Sequence, residues 1–248
     1  MKFCWILLCH YVNRSIMDEF LKIKEQLSTY NYIDVVILQD GVEFDYDTLR
    51  KKYNTLMLTT DKDYIGNSIF PIIDYSKNHY YDYYIVQEYD CVFTGNYKSV
   101  IDNIPFYTFD AMFQSRPQQT KEDWYWKRYS NIPISKNNCN NLLQFYIINK
   151  KVIDCIENFY NIGYRGHYEE VVYTAVISNK ENLNIKFLDN FFSVYMSWNE
   201  KLLSKNLKDI VGIEYIQKKH NAYIKSILKH FENKNTFLHP IKYLTTKN

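Results

Sequence analysis

The chain has 248 residues, 46% of them hydrophobic and 23% charged, with 30 basic and 28 acidic side chains giving a formal net charge of +2. This composition excludes a disordered chain, and the length fits one domain able to bury a full core around a central sheet. The five cysteines, Cys4, Cys9, Cys91, Cys139 and Cys155, form no Cys-x-x-Cys pair. That excludes a zinc ribbon or disulfide framework and suits buried thiols in a reducing compartment.

Phe3 to Leu8 is an apolar run with one lysine before it. It is too short to span a bilayer and lacks a small-residue cleavage site before Tyr11 and Asn13, so it reads as the first buried strand of a cytosolic protein. Ile16 to Tyr30 predicts a helix, with Ile16, Phe20, Ile23 and Leu27 on one face, and Val35 to Leu38 a second strand closed by a turn at Gln39, Asp40 and Gly41. Leu56 to Leu58 predicts a third strand, Ile69 to Asn78 a helix, and Tyr83 to Gln87 a fourth strand running into Glu88, Tyr89 and Asp90. Strand-like runs alternating with helical ones predict an α/β chain, a sheet covered by helices with a Rossmann-like N-terminal half. No glycine-rich loop follows the first strand, which argues against a dinucleotide or P-loop enzyme.

Further on, Val171 to Ile177 reads as a buried helix preceded by Gly166, His167, Tyr168, Glu169 and Glu170. Near the end, Ile213, Ile216, Tyr223, Ile224, Ile227 and Phe231 have helical spacing, with Lys218, Lys219, Lys225 and Lys229 largely off that face. Charge is uneven: residues 1–200 carry 20 basic and 25 acidic side chains, whereas residues 201–248 carry 10 and 3. The basic end describes a solvated helical face that also has the charge for peripheral contact with an anionic membrane or a phosphate-bearing ligand. Nucleic acid is not expected as a partner, because no RNA-binding or helix-turn-helix motif accompanies the lysines.

Ligands of open α/β sheets gather beyond the carboxyl ends of the strands, where Glu88 and Asp90 sit. Side chains two apart on extended backbone point the same way, so both carboxylates can face one magnesium or manganese ion that a diphosphate also ligates. By itself, the same pattern describes a solvated turn. Glu169 and Glu170 complement the dipole at a helix start, or one of them deprotonates an attacking hydroxyl. In the Trp124, Tyr125, Trp126 cluster, one tryptophan is expected in the core and the other in a cleft against a sugar face, with Asp123 and Arg128 reading hydroxyls.

The run from Tyr81 to Gly95, with its Glu88-Tyr89-Asp90 triplet, resembles the acidic strand-end motif of bacterial GT-A glycosyltransferase-like families associated with surface polysaccharide (capsule or lipopolysaccharide) synthesis. Asp123-Trp124-Tyr125-Trp126, Gly166-His167-Tyr168-Glu169 and His239-Pro240-Ile241-Lys242 agree in order, so the resemblance spans Tyr81 to Lys242. It implies a GT-A-like mixed sheet flanked by helices in one domain over 1–248, with a nucleotide-sugar-binding half at 1–100 and an acceptor half at 101–248 ending in a basic helix.

The resemblance further implies a glycosyltransferase that moves a sugar from a nucleoside diphosphate donor to the hydroxyl of a glycan or lipid-linked glycan, in the cytoplasm or at the inner face of the membrane. A divalent cation would be held by Asp90, Glu88 and His239, with Glu169 as base. His10, Tyr11 and Asp40 would hold the nucleotide base and ribose, Lys242 the diphosphate, and Trp124, Trp126 and His167 the sugars. Many such enzymes have aspartate first in the triplet; here it is Glu88, which makes Asp90 the firmer ligand. Two other classes remain open: a metal-dependent nucleotide-sugar hydrolase or phosphodiesterase using Glu88, Asp90 and His239, and a non-catalytic glycan-binding protein using the tryptophans.

Overall fold

The computed structural model describes residues 1–9, 12–39, 57–59, 69–114, 116–197, 200–212 and 220–242. In chain order these form β1 (Phe3–Cys9), α1 (Arg14–Leu27), β2 (Ile33–Gln39), β3 (Met57–Thr59), α2 (Phe70–Asn78), β4 (Tyr83–Glu88), β5 (Val92–Phe93) and α3 (Lys98–Asn103). They continue with β6 (Ala111–Phe113), β7 (Gln118–Gln119), β8 (Cys139–Asn140), β9 (Phe145–Asn149), α4 (Lys150–Asn161), α5 (Tyr168–Ser178), β10 (Ile185–Phe187) and β11 (Ser193–Met196). Last come α6 (Glu200–Val211), α7 (His220–Phe231) and β12 (Thr236–His239).

The core is a mixed seven-stranded sheet in the order β10-β6-β9-β4-β1-β2-β3. β1 lies parallel to both β2 and β4, while β9 runs antiparallel to β4 and β6. All seven residues of β1 are buried because helices cover both faces, which is why it reads as a continuous apolar run rather than an alternating one. Cys4, Ile6 and Leu8 face a layer built by α2, α4 and α5. Phe3 and Trp5 face the opposite layer, which holds Ile23 and Leu27 of α1, Val100 and Ile101 of α3, and Phe93 and Phe237. The strands from residues 101–248 (β10, β6, β9) and those from 1–100 (β4, β1, β2, β3) lie side by side in this one sheet and meet at the β9–β4 pair.

The expected elements appear with shifted ends. α1 starts two residues early because the Asn13 side chain caps it, accepting from the Ile16 amide at 3.0 Å, and it stops at Leu27, where Ser28 and Tyr30 turn back onto Glu25 and Leu27. α5 begins at Tyr168, so Glu169 and Glu170 stand inside its first turn rather than ahead of it. Of the C-terminal helical pattern, α7 carries Tyr223, Ile224, Ile227 and Phe231 on its buried face, and a separate helix, α6, precedes it. Ile213, Ile216, Lys218 and Lys219 lie outside the described residues, as do Gly41 and Leu56. Cys4, Cys9, Cys91 and Cys139 are buried free thiols and Cys155 is half-buried. Among the described residues, no helix is long and apolar enough to cross a membrane.

A second, three-stranded sheet, β11-β12-β5, brings the late chain to the end of β4. β12 runs antiparallel to β5, with Phe237 opposite Phe93 and Leu238 opposite Val92. Because β5 begins two residues after Asp90, this pairing sets His239 beside Asp90 across a separation in sequence of almost 150 residues.

Candidate metal centre and active site

β1 has β2 on one side and β4 on the other, so the chain reverses direction across the sheet here and a crevice opens beyond the strands' carboxyl ends. Glu88 is the last residue of β4, and the chain then turns, the Cys91 amide bonding to the Glu88 carbonyl at 2.9 Å. Glu88 and Asp90 therefore converge through a turn and not, as their spacing predicts, from one face of an extended strand. Ligand-capable atoms of Glu88, Asp90 and His239 all lie within 4.8 Å of one another.

Asp90 is 3% exposed. Its Oδ2 is 3.1 Å from Lys242 Nζ, and its Oδ1 is 3.3 Å from His239 Nε2 without the alignment of a hydrogen bond, leaving that buried oxygen with no partner. The Nδ1 of His239 lies 2.8 Å from the Ser197 carbonyl. A carbonyl only accepts, so Nδ1 carries a proton, and in the neutral ring Nε2 then turns a lone pair toward the orphaned Asp90 oxygen. Two facing acceptors with a carboxylate alongside make a donor set that fits a divalent cation. Burial alone would raise the Asp90 pKa, but the His239 ring in its protonated form, with a proton on Nε2, together with the Lys242 ammonium outweighs it and brings it down to about 2; a cation at the site would take the place of that ring proton. The loop is pinned by the Ile241 amide on the Asp90 carbonyl at 2.8 Å, and the His239–Pro240 peptide bond is cis.

Glu88 is held from the far side by the Tyr168 hydroxyl, which donates to its Oε1 at 2.6 Å. Tyr168 opens α5, so the next residue, Glu169, sits close behind the cation triad. Glu169 is 2% exposed, and its Oε1 accepts from Gln144 Nε2 at 3.2 Å. Gln144 is itself aimed by Gln114, whose Nε2 donates to the Gln144 Oε1 at 3.1 Å and whose Oε1 takes the Gln144 backbone amide at 2.9 Å. Burial pushes the Glu169 carboxyl well above the usual carboxylate range, and the charge of Glu88 adds to that. Glu170, the neighbouring acid, is fully buried and paired with Lys127 Nζ at 3.0 Å. Each acid keeps one buried oxygen without a hydrogen bond, and the two differ in what holds the other: Glu170 has the Lys127 ammonium, Glu169 only a side-chain amide.

Glu169 Oε2 faces His167 Nδ1 at 3.6 Å. Burial draws the His167 pKa down to about 4, so both groups favour their neutral forms. His167 precedes α5 but makes no side-chain cap. Trp126 stacks on its ring, with centroids 4.6 Å apart at 19°, and Trp124 meets it edge-on at 5.9 Å. Both tryptophans are half-buried. The expected division into one core and one cleft tryptophan is not what forms, because the short 3₁₀ turn at Tyr125–Tyr129 sets both rings around one imidazole. Arg128 lies 4.2 Å over the Tyr125 ring.

Of the residues expected at the site, Glu88, Asp90, His239 and Lys242 are together, and Glu169, His167, Trp124 and Trp126 form an adjoining group linked to them by Tyr168. His10, Tyr11 and Asp40 lie outside the described residues. The sequence reading missed Tyr168, Gln144, Gln114 and Lys127. It also missed a buried network that braces the acidic turn: the Trp5 indole donates to Gln87 Oε1 at 3.1 Å, and Gln87 Nε2 donates to the Cys91 carbonyl at 2.7 Å and to the Tyr97 hydroxyl, which in turn donates to Glu19. A glutamine inside an otherwise apolar strand was the available signal. Beside the triad, a cavity of about 390 Å³ opens between α1 and α7, lined in part by Tyr89, Lys242, Lys22 and Lys225.

No protein-family model matches the sequence, and no curated protein matches it. Among solved structures, the chain is similar to a protein described as a nucleotide-diphospho-sugar transferase from Desulfovibrio desulfuricans G20, at 10% identity and a TM-score of 0.45 over 76% of this chain and 80% of that one. It is also similar to a protein from Bacillus anthracis described as a glucose-1-phosphate thymidylyltransferase, solved with sucrose, at 12% identity and a TM-score of 0.41 over 75% and 85%. At such identities neither description transfers to this chain.

Proposed function

We propose that this protein is a glycosyltransferase that takes its sugar from a nucleoside diphosphate donor and passes it to a glycan or lipid-linked glycan hydroxyl. The observation that carries the reading is the convergence of Glu88, Asp90 and His239 at the carboxyl end of β4, with a buried Asp90 oxygen left unsatisfied between them. Glu88, Asp90 and His239 would hold a divalent cation. Manganese is the first choice, since magnesium prefers an all-oxygen set. Bound there, the cation neutralises charge developing on the departing diphosphate. Lys242, 45% exposed while paired to Asp90, can add a donor to that diphosphate.

Glu169 is the proposed base. In the closed site the carboxyl favours its protonated form; a cation held at Glu88 would offset the charge that helps raise its pKa, and the carboxylate so formed would have the added basicity that proton abstraction from a hydroxyl requires. Because Glu169 is 2% exposed and faces His167, around whose ring Trp124 and Trp126 pack, an acceptor reaching it would have to shift that stack, and the same rings would then offer apolar faces to the sugar. The burial of Glu169 also favours a second reading, nucleotide-sugar hydrolysis, in which water replaces the bulky acceptor.

The test is a thermal-shift and calorimetric screen against nucleoside diphosphates and nucleotide sugars with and without manganese. The expected result is a shift for one nucleotide that requires metal and disappears in Asp90→Ala. Metal-dependent binding that survives Asp90→Ala refutes the assigned centre, and donor turnover at equal rates with and without glycans moves the conclusion to hydrolysis.

A further inference from the structure

We propose that the outer faces of α6 and α7 dock this protein on an anionic lipid bilayer. Residues 201–248 hold 10 basic and 3 acidic side chains, whereas the rest of the chain has an acidic excess. The fold turns that imbalance into a surface. Leu203 and Leu207 of α6 and Tyr223, Ile224, Ile227 and Phe231 of α7 share one apolar cluster with Leu238 and Ile241. Packing those stripes inward drives the intervening cations outward, so that Lys201, Lys205, Lys225 and Lys229 are all exposed, with Asp209 as an exposed acid among them.

Lysines alone would fit any polyanion. The choice of lipid rests on Leu202 and Ile210, which stay 41% and 43% exposed on the same helix as Lys201 and Lys205. Large aliphatic side chains standing among lysines match the boundary between headgroups and acyl chains, where the cations meet phosphate and the aliphatic groups leave water. A nucleic-acid groove offers no such apolar layer. α7 also supplies Lys225 and Leu228 to the cavity whose other wall includes Lys242 and Tyr89. A bilayer against α7 would therefore bring a lipid-borne group to the mouth of the cavity beside the cation triad. The docking inference itself does not depend on the activity of that triad.

The experiment is co-sedimentation of the purified protein with phosphatidylcholine vesicles made with and without phosphatidylglycerol, across a salt series. The expected result is partition onto the anionic vesicles alone, weakening as salt rises. A surface lysine contributes about fivefold to such partition, so Lys201→Gln, Lys205→Gln and Lys229→Gln combined should lower it on the order of a hundredfold. Lys225 is kept because it lines the cavity, and an unchanged melting temperature shows the variant is folded. Leu202→Ser with Ile210→Ser should remove the binding that persists at high salt. The proposal is overturned by absence of partition at low salt, by equal partition onto neutral vesicles, by an undiminished triple variant, or by RNA that strips the protein from the vesicles.

Discussion

Replacing Lys127 with methionine is the sharpest structural test of the acid arrangement at the start of α5. Lys127 is only 10% exposed and Glu170 is fully buried, with Nζ and Oε1 3.0 Å apart. The ammonium also donates to the Ser130 hydroxyl and the Ile132 carbonyl, so one cation serves three acceptors. Lys127→Met keeps most of the side-chain volume but strands a buried carboxylate, a loss of about 3–5 kcal/mol. Adding Glu170→Gln removes the stranded charge, and the double variant should regain most of the loss even though it is missing two native groups. The assay is urea denaturation of wild type, both single variants and the double, compared at constant slope so that only stability is read. A single-variant loss below about 1 kcal/mol, or a double variant no more stable than Lys127→Met, refutes the claim that the lysine neutralises Glu170 in a desolvated setting.

Tyr168→Phe deletes the hydroxyl that orients Glu88; manganese affinity by calorimetry should fall about tenfold, the lower end for loss of a group that orients a ligand, with little change in melting temperature. Glu169→Gln should leave donor binding intact while slowing transfer on the order of a hundredfold or more, and an unaffected rate moves the base elsewhere. The same substitution should raise the melting temperature at neutral pH. Because the folded-state pKa of Glu169 is raised, the carboxyl destabilises the fold as pH climbs from its unfolded value toward its folded one, and glutamine abolishes that loss. Asp110 works in the opposite sense. The Asn184 amide at 2.8 Å, the Asn149 side chain at 2.9 Å and Lys151 hold its pKa below the usual carboxylate value against the opposing effect of burial. Its stabilisation is thus present at neutral pH and lost as pH falls below the ordinary aspartate range, so Asp110→Asn should be less stable than wild type at neutral pH and converge on it in acid.

What the sequence disclosed follows from the range of the interactions involved. β1 and β4 were legible because strands covered on both faces are apolar throughout, and α1 because Ile16, Phe20, Ile23 and Leu27 repeat at helical spacing. Glu88 and Asp90 stood out as acids at the end of a buried strand. His239 and Lys242 had no such local mark; they were reached through a resemblance, and their approach to Asp90 depends on the β5–β12 pairing, two residues of which face each other 144 apart. The antiparallel insertion β9 escaped notice because five residues running into a helix show neither a strand's full period nor a turn. Gln144 and Gln114 gave no signal, since polar side chains in a loop are ordinary until the fold buries them against Glu169.

The pairing of β12 with β5 has a consequence for the timing of assembly. A chain made from its N-terminus can begin to collapse β1, α1, β2 and β4 onto one another early, but the acidic turn stays incomplete until residues 236–242 have been synthesised. Until then Glu88 and Asp90 form an acidic pair with neither the imidazole nor the lysine that offsets them. Capture of a divalent cation should therefore belong to the finished fold and not to its intermediates. A chain shortened before Thr236 would lose β12 and, with it, both His239 and Lys242.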